Sequence, residues 1–252
     1  MTHVPHSRIA IHCPSRFSIL PVAGELIYVV PKSDLKWHVC EENGLMESSL
    51  IEWSQQLMLE GKVFIDVGAN IGTYTFNYAI NPKVLRTHAF EANPEMMKYL
   101  QAGLILNGLY DRVETHQVAL GSPEQAVQGK TTFWFVAGGW GTTNRSIPDS
   151  PKWKDERKIS FDVEVRTLDS YGLENIGLIK MDVECAEFDI IKGAVATIEN
   201  NGWPKLFFEC WKDKWFAPHR AQLLDFVASI GYDHIVEVSG GYEMFVAERS
   251  SR

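Results

Sequence analysis

The stretch VFIDVGANIGTYT, residues 63–75, decides the fold. Val63–Val67 is a short apolar run, as a buried parallel strand requires. Gly68 and Gly72 follow in a turn, and a helix is expected over about 72–80. Glycine suits such a turn because the backbone bends tightly and a ligand can approach it without meeting a Cβ. Ligands of open α/β sheets bind beyond the carboxyl ends of the strands. Asp66 stands at that edge, able to accept from an ammonium or to order a water.

Downstream, Thr87–Phe90 reads as a second strand ending in Glu91. Asn93-Pro94 opens a helix, with Asn as the cap and Pro at the first helical position. Met97, Leu100 and Leu104 form its apolar stripe, and a third strand is expected over about 113–120. This β-α-β-α-β order argues for an α/β fold with a doubly wound, mostly parallel sheet. Thr131–Val136 and the alternating Phe161, Val163 and Val165 read as two strands around a loop rich in Gly, Thr, Ser and Pro, a lid-like insertion at about 130–160. Parallel logic resumes with a strand at Leu178–Val183 and a helix marked by Phe188, Ile191, Ala194, Val195 and Ile198. A strand at Leu206–Glu209, a helix at about 218–230 and a hairpin of His234–Val238 with Tyr242–Ala247 complete the pattern. Upstream, Leu50, Ile51, Trp53, Leu57 and Met58 mark an amphipathic helix at about 48–60, and Glu25–Val30 a strand in a Pro-punctuated lead-in. The expected organisation is an N-terminal extension, 1–47, packed on a domain spanning 48–252.

A chain of 252 residues, 45% hydrophobic, buries a sizeable core without metal or disulfide staples. The net charge of −8 argues against a basic surface that coats nucleic acid. Four scattered cysteines with no CxxC pair argue against a disulfide framework or zinc cluster, and for a reducing, cytoplasmic setting. There is no apolar run of ~18 residues to span a membrane. Met1 to Ile11 also lacks the apolar core of a secretory signal.

Glu91 lies about 20 residues past the turn, where an acid reads a ribose diol. A nicotinamide dinucleotide prefers G-x-G-x-x-G. The D-x-G-x-x-x-G seen here, Asp66 to Gly72 with Asn70 between the glycines, suits S-adenosylmethionine, which has no pyrophosphate for a helix N-terminus to hold. In the plainer alternative, Gly68 and Gly72 only shape the turn. A second constellation puts Lys180, Asp182 and Glu184 on one face of a strand that should be apolar, with Glu187 in the next helix. Either Lys180 pairs with Asp182 or Glu184, or Asp182 and Glu184 face a reaction centre. Glu209 ends the neighbouring strand, so Asp182 and Glu209 can converge. Together they would hold a divalent cation, Mg²⁺ or Mn²⁺, through oxygens, or supply a general base. His219 is a further candidate base, whereas His88, inside an apolar strand, reads as a satisfied core residue.

These pieces resemble the FkbM-type methyltransferases. The match is carried by VFIDVGANIGTYT (63–75), AFEANP (89–94), VALGS (118–122), VRTLDSYG (165–172), LIKMDVECAEFDIIKGA (178–194) and FFECW (207–211), in the expected order. Two departures are Cys185, where the family usually has Gly, and Ala92, where Pro is common. The resemblance implies a class I methyltransferase sheet with an antiparallel last strand. It also implies an S-adenosylmethionine-dependent O-methyltransferase acting on a hydroxyl, such as a sugar of a glycan, glycolipid or natural product. By motif matching, Asp66, Gly68, Asn70 and Gly72 surround the methionine part, Glu91 holds the ribose, Val118 and Ala119 lie along the adenine, and Asp182 reaches the cofactor. Asp182, Glu184, Glu209 and His219 are then the candidate catalytic groups, and Asp182 with Glu209 the candidate metal ligands. Trp140, Thr143, Asn144 and Arg145 of the loop would cover the acceptor. The alternatives are a methyltransferase of nucleic acid or protein, an oxidoreductase using NAD, and a non-catalytic S-adenosylmethionine sensor, for which three acids at the rim have no use.

Overall fold

The computed structural model describes residues 11–12, 17–21, 26–31, 45, 47–136, 158–240 and 243–250. The chain leads with β1 (Ile11–His12), β2 (Phe17–Pro21) and β3 (Ile27–Pro31), a small antiparallel sheet, and then helix α1 (Ser48–Ser54). The first parallel unit is β4 (Lys62–Val67), α2 (Thr73–Ile80), β5 (Val84–Phe90), α3 (Pro94–Asn107) and β6 (Val113–His116). Then come β7 (Ala119–Leu120), α4 (Pro123–Gln128), β8 (Lys130–Val136) and β9 (Lys158–Arg166). The second parallel unit is β10 (Ile176–Met181), α5 (Glu187–Lys192), α6 (Val195–Asn200), β11 (Lys205–Glu209) and α7 (Ala217–Ser229). The hairpin β12 (His234–Glu237) and β13 (Met244–Glu248) ends the described fold.

Seven strands form the central sheet in the order β12-β13-β11-β10-β4-β5-β6. All run the same way except β13, which is antiparallel to both of its neighbours. Both faces are covered, which is why β4 and β10 read as apolar runs broken inside the sheet only by Asp66 and Lys180. On one face Phe64, Phe76, Tyr78, Leu178 and Phe207 are buried together, and Phe64 stacks on Tyr78 at 3.7 Å. On the other lie Ile65, Val67, Ile179, Met181, Phe208 and Ile191. Asn107 ties the leading strands to α3, accepting from Ile27 N at 2.8 Å and donating to Ile27 O at 2.7 Å. No helix among the described residues is long and apolar enough to cross a membrane.

The helix signals around α3 act as the sequence suggests. Asn93 accepts from Glu95 N at 2.9 Å, and Gly108 closes the helix in the left-handed region at φ 65°. Three features differ from the sequence reading. The strand expected over 113–120 splits, because Ala119–Leu120 leaves the central sheet to pair with β9. A capped helix, α4, follows it, with Ser122 and Gln125 forming a capping box. The helix expected to run through Phe188–Ile198 breaks at Gly193. There Asp169 accepts from Ala196 N, Thr197 N and Thr197 Oγ1 at 3.2, 2.7 and 2.7 Å, starting a new helix from outside it. A Cβ on Gly193 would stand 2.1 Å from the Gly121 carbonyl oxygen. Backbone cannot yield as a side-chain tip does. Gly193→Ala is therefore expected to cost about 1–3 kcal/mol, seen as a lower urea midpoint with an unchanged slope.

Candidate functional site

The site is built on the carboxyl ends of β4, β5, β10 and β11. Its anchor is Lys180, only 2% exposed, which β10 places in register with Asp66 of β4. The Lys180 ammonium lies 3.3 Å from Asp66 Oδ1 and 3.7 Å from Asp182 Oδ2. It donates to the Gly68 carbonyl at 3.2 Å and sits 4.8 Å above the Tyr74 ring. Burial alone would strip its proton, but Asp66 and Asp182 more than offset that and hold its pKa above the ordinary value. Thr75 Oγ1 donates to the other Asp66 oxygen at 2.6 Å. Asp66 is therefore sealed inside the sheet, Oδ2 hydrogen-bonded and Oδ1 held only by the ion pair with Lys180, rather than standing open at its edge. Its reach is to Lys180 and Thr75.

The glycines have a packing reason. Gly68 has φ 77°, and a Cβ there would lie 2.0 Å from the Asp182 carbonyl oxygen. Gly72, at φ 96°, faces Phe76 and Leu100, which a Cβ would meet at 2.5 and 2.7 Å. What crowds both positions is the protein itself. Between them Asn70 adopts φ 51°, and its N–H donates to Glu91 Oε2 at 2.7 Å. Asn93 N donates to the other Glu91 oxygen, also at 2.7 Å. Burial pushes the Glu91 carboxyl up to about 7, against the pull of these two backbone donors. Asn70 Oδ1 and Asn93 Nδ2, flanking Glu91, are buried with no hydrogen-bond partner among the described residues. Val118 and Ala119, just past β6, are buried at the same end of the sheet.

The acids gather as a second cluster. Met181 pairs with Phe208, which sets Asp182 beside Glu209 across β10 and β11. Burial raises the Glu209 carboxyl well above the ordinary value, and repulsion from Asp182, Glu184 and Glu187 adds to it, while a hydrogen bond with Trp211 opposes. Glu209 Oε2 is buried without a hydrogen-bond partner among the described residues. Glu187, 1% exposed, accepts from Val183 N at 3.0 Å and is pushed up to about 8, chiefly by burial. Glu184 and Cys185 between them have φ of 57° and 82°. Glycine is at home in that region, which explains why Gly is usual where this chain has Cys185.

His219 lies near the N-terminal end of α7. It stacks on Phe216 at 5.4 Å and lines a cavity of about 190 Å³ with Cys185, Glu187 and Phe188. The sequence reading missed Glu47, which precedes α1 with no motif to mark it. Tyr74 Oη donates to Glu47 Oε2 at 3.2 Å. Burial, and then repulsion from Asp182, raise its carboxyl, so it belongs to the same electrostatic group. Trp140, Thr143, Asn144 and Arg145 lie outside the described residues.

The residues fit S-adenosylmethionine at one point in particular. Glu91 keeps lone pairs beyond its two backbone bonds, and two orphaned amide atoms flank it, as a polar ligand with a diol requires. They do not fit a divalent cation on Asp182 and Glu209. Asp182 already faces the Lys180 ammonium, and the two belong to no three-donor cluster among the described residues.

This rim, on a seven-strand sheet with one reversed strand, is that of a class I methyltransferase, the fold whose methyl donor is S-adenosylmethionine. Trm5b from Pyrococcus abyssi shares the fold at a TM-score of 0.50 and 13% identity, over 93% of this chain and 55% of that one. The methyltransferase FkbM domain model matches residues 66–233, and the chain belongs to that family. A solved FkbM methyltransferase from Methylobacillus flagellatus aligns at 18% identity and a TM-score of 0.49, over 74% of this chain. The chain spans 43% of that protein. A zebrafish (Danio rerio) tRNA wybutosine-synthesizing protein 2 homolog is 35% identical over 57 residues, 23% of this chain and 14% of that protein.

Two outcomes test the electrostatics. Lys180→Met leaves Asp66 charged and buried, and should destabilise the chain by about 3–5 kcal/mol in denaturant melts. Lys180→Met combined with Asp66→Asn should recover part of that loss. A carboxyl whose folded pKa is raised stabilises the fold while protonated, and that contribution fades as pH rises from the unfolded to the folded value. For Glu187 the window runs from 4.5 to about 8. Glu187→Gln should therefore show a flatter fall of Tm across that window than the parent protein.

Proposed function

We propose that the chain is an S-adenosylmethionine-dependent O-methyltransferase whose acceptor is a hydroxyl, in the first place of a sugar in a glycan, glycolipid or natural product. The observation that carries this reading is the meeting of two unlike groups at one rim. On one side are the diol-reading Glu91 and the Gly68–Gly72 turn, and on the other the acids around Asp182 and Glu209.

In this reading Glu91, Asn70 and Asn93 bind the ribose end, the Gly68–Gly72 backbone lies along the methionine part, and Val118 and Ala119 flank the adenine. Asp66 acts from below by fixing Lys180. S-adenosylmethionine, once bound, supplies a methyl group that is already electrophilic. The remaining work is to align an acceptor oxygen and take its proton. Glu209 and Asp182 are placed for that. Glu209 has an unengaged oxygen and a raised pKa, which matches a carboxylate to a hydroxyl proton once it is ionised. Trp215, partly buried and packed edge to face on the buried Trp211 at 5.7 Å, is the aromatic ring in this region with a surface a sugar could pack against. A cytoplasmic setting suits Cys185 and Cys210 as thiols.

A second reading, methylation of RNA, draws on the local similarity to the wybutosine-synthesizing homolog. The net charge of −8 weighs against it.

The experiment is release of S-adenosylhomocysteine by the intact chain against a panel of saccharides, glycolipids and RNA. Turnover on a hydroxyl-bearing saccharide is expected, rising with pH as Glu209 ionises. Glu209→Gln should lose about 10²–10⁴ in kcat while still binding S-adenosylhomocysteine. Turnover confined to RNA would replace this reading with the second.

A further inference from the structure

A group that the mechanism does not use lies on β5 and β6. His88 and Phe90 point to one face of β5, and Glu114 and His116 to the same face of β6, because the register pairs His88 with Glu114 and Phe90 with His116. We propose that His88, Glu114 and His116 form a binding site for a borderline divalent cation of the Zn²⁺ class, separate from the methyl-transfer rim.

Geometry is the first argument. His88 Nδ1 and His116 Nε2 are 3.1 Å apart, and Glu114 oxygens lie 3.7 Å from the first and 3.8 Å from the second. Ligand atoms bound tetrahedrally at Zn–N and Zn–O distances near 2.0–2.1 Å are separated by about 3.4 Å. The three donors therefore already bracket the spacing that one ion demands. Two imidazoles and a carboxylate, with a fourth position left to solvent, is a donor set this class of ion favours.

Preorganisation is the second. Phe90 stacks on His116 at 4.4 Å, and Tyr171 stands edge-on to both rings at 5.0 Å. His116 thus has little freedom to swing away. Without an ion the two facing nitrogens share one hydrogen bond, and release of that one proton frees both lone pairs for a cation. The competing cation is Arg86, 3.6 Å from Glu114. Both of those side chains are about half exposed, and such surface pairs are worth little and readily given up.

The site has a structural consequence. Glu91 N donates to the His116 carbonyl at 3.0 Å. An ion held between His88 and His116 would clamp the two strands that deliver Glu91 to the rim.

The test uses the full chain stripped with EDTA and titrated with Zn²⁺ by calorimetry and with Co²⁺ by visible absorption. One equivalent is expected to bind at micromolar or tighter affinity, with the intense Co²⁺ bands of a four-coordinate site and a higher Tm. His116→Ala should weaken binding by more than the ~10–100-fold that an outer partner costs. Glu114→Gln, at a half-exposed position that leaves the fold intact, should weaken it as well. Binding unchanged in Glu114→Gln and His116→Ala would place the metal on other histidines or cysteines and overturn the proposal. So would the absence of binding by the folded parent chain.

Discussion

The contact on which the structure depends is the Lys180 ammonium, held inside the sheet between Asp66, Asp182 and the Gly68 carbonyl. A buried lysine is costly unless charge and hydrogen bonds surround it. Here they come from both strands at the centre of the sheet and from the turn that follows one of them. Strand pairing alone would hold β4 and β10 together. Lys180 adds a fixed distance between the Gly68 turn and the Asp182 loop, which pack directly against each other.

From that contact the rest follows by close packing. Asp182 N donates to Val67 O at 3.1 Å, so the chain leaving β10 crosses directly over Gly68, where no Cβ fits. The crossing turns Asp182 toward Glu209 and the loop toward Glu187, and repulsion among these carboxyls adds to burial in raising Glu209 and Glu187. On the far side, the turn delivers Asn70 N to Glu91. One buried cation therefore organises two anionic regions of different character. Glu91 is ordered by backbone donors, whereas Glu209 is crowded by like charges.

Much of this was legible in the residues. The parallel strands announce themselves because strands covered on both faces are apolar throughout, and Asn93-Pro94 and Gly108 mark the bounds of α3. The gathering of Asp182 and Glu209 follows from two strands ending at one rim. Asp66 was misplaced, because a carboxylate in a strand carries no sign of its partner. Only the β4–β10 register shows that Lys180 meets it. The same register logic hid the His88, Glu114 and His116 group, since His88 alone looks like a core histidine. The break at Gly193 was invisible because its cause, Asp169, comes from another element. A cation on Asp182 and Glu209 looked plausible while Lys180 was counted only as a possible ion pair, and the structure shows that the positive charge there is already supplied.

The proposed S-adenosylmethionine site is the rim fixed by Lys180, with Glu91 on the ribose. It is tested most directly by calorimetric titration of S-adenosylhomocysteine into the parent chain and into Glu91→Gln. Micromolar binding by the parent is expected, and at least about tenfold weaker binding by the variant, the loss that follows when a charged acceptor is replaced by a neutral one. No binding by the folded parent, or equal binding by the two proteins, would contradict it.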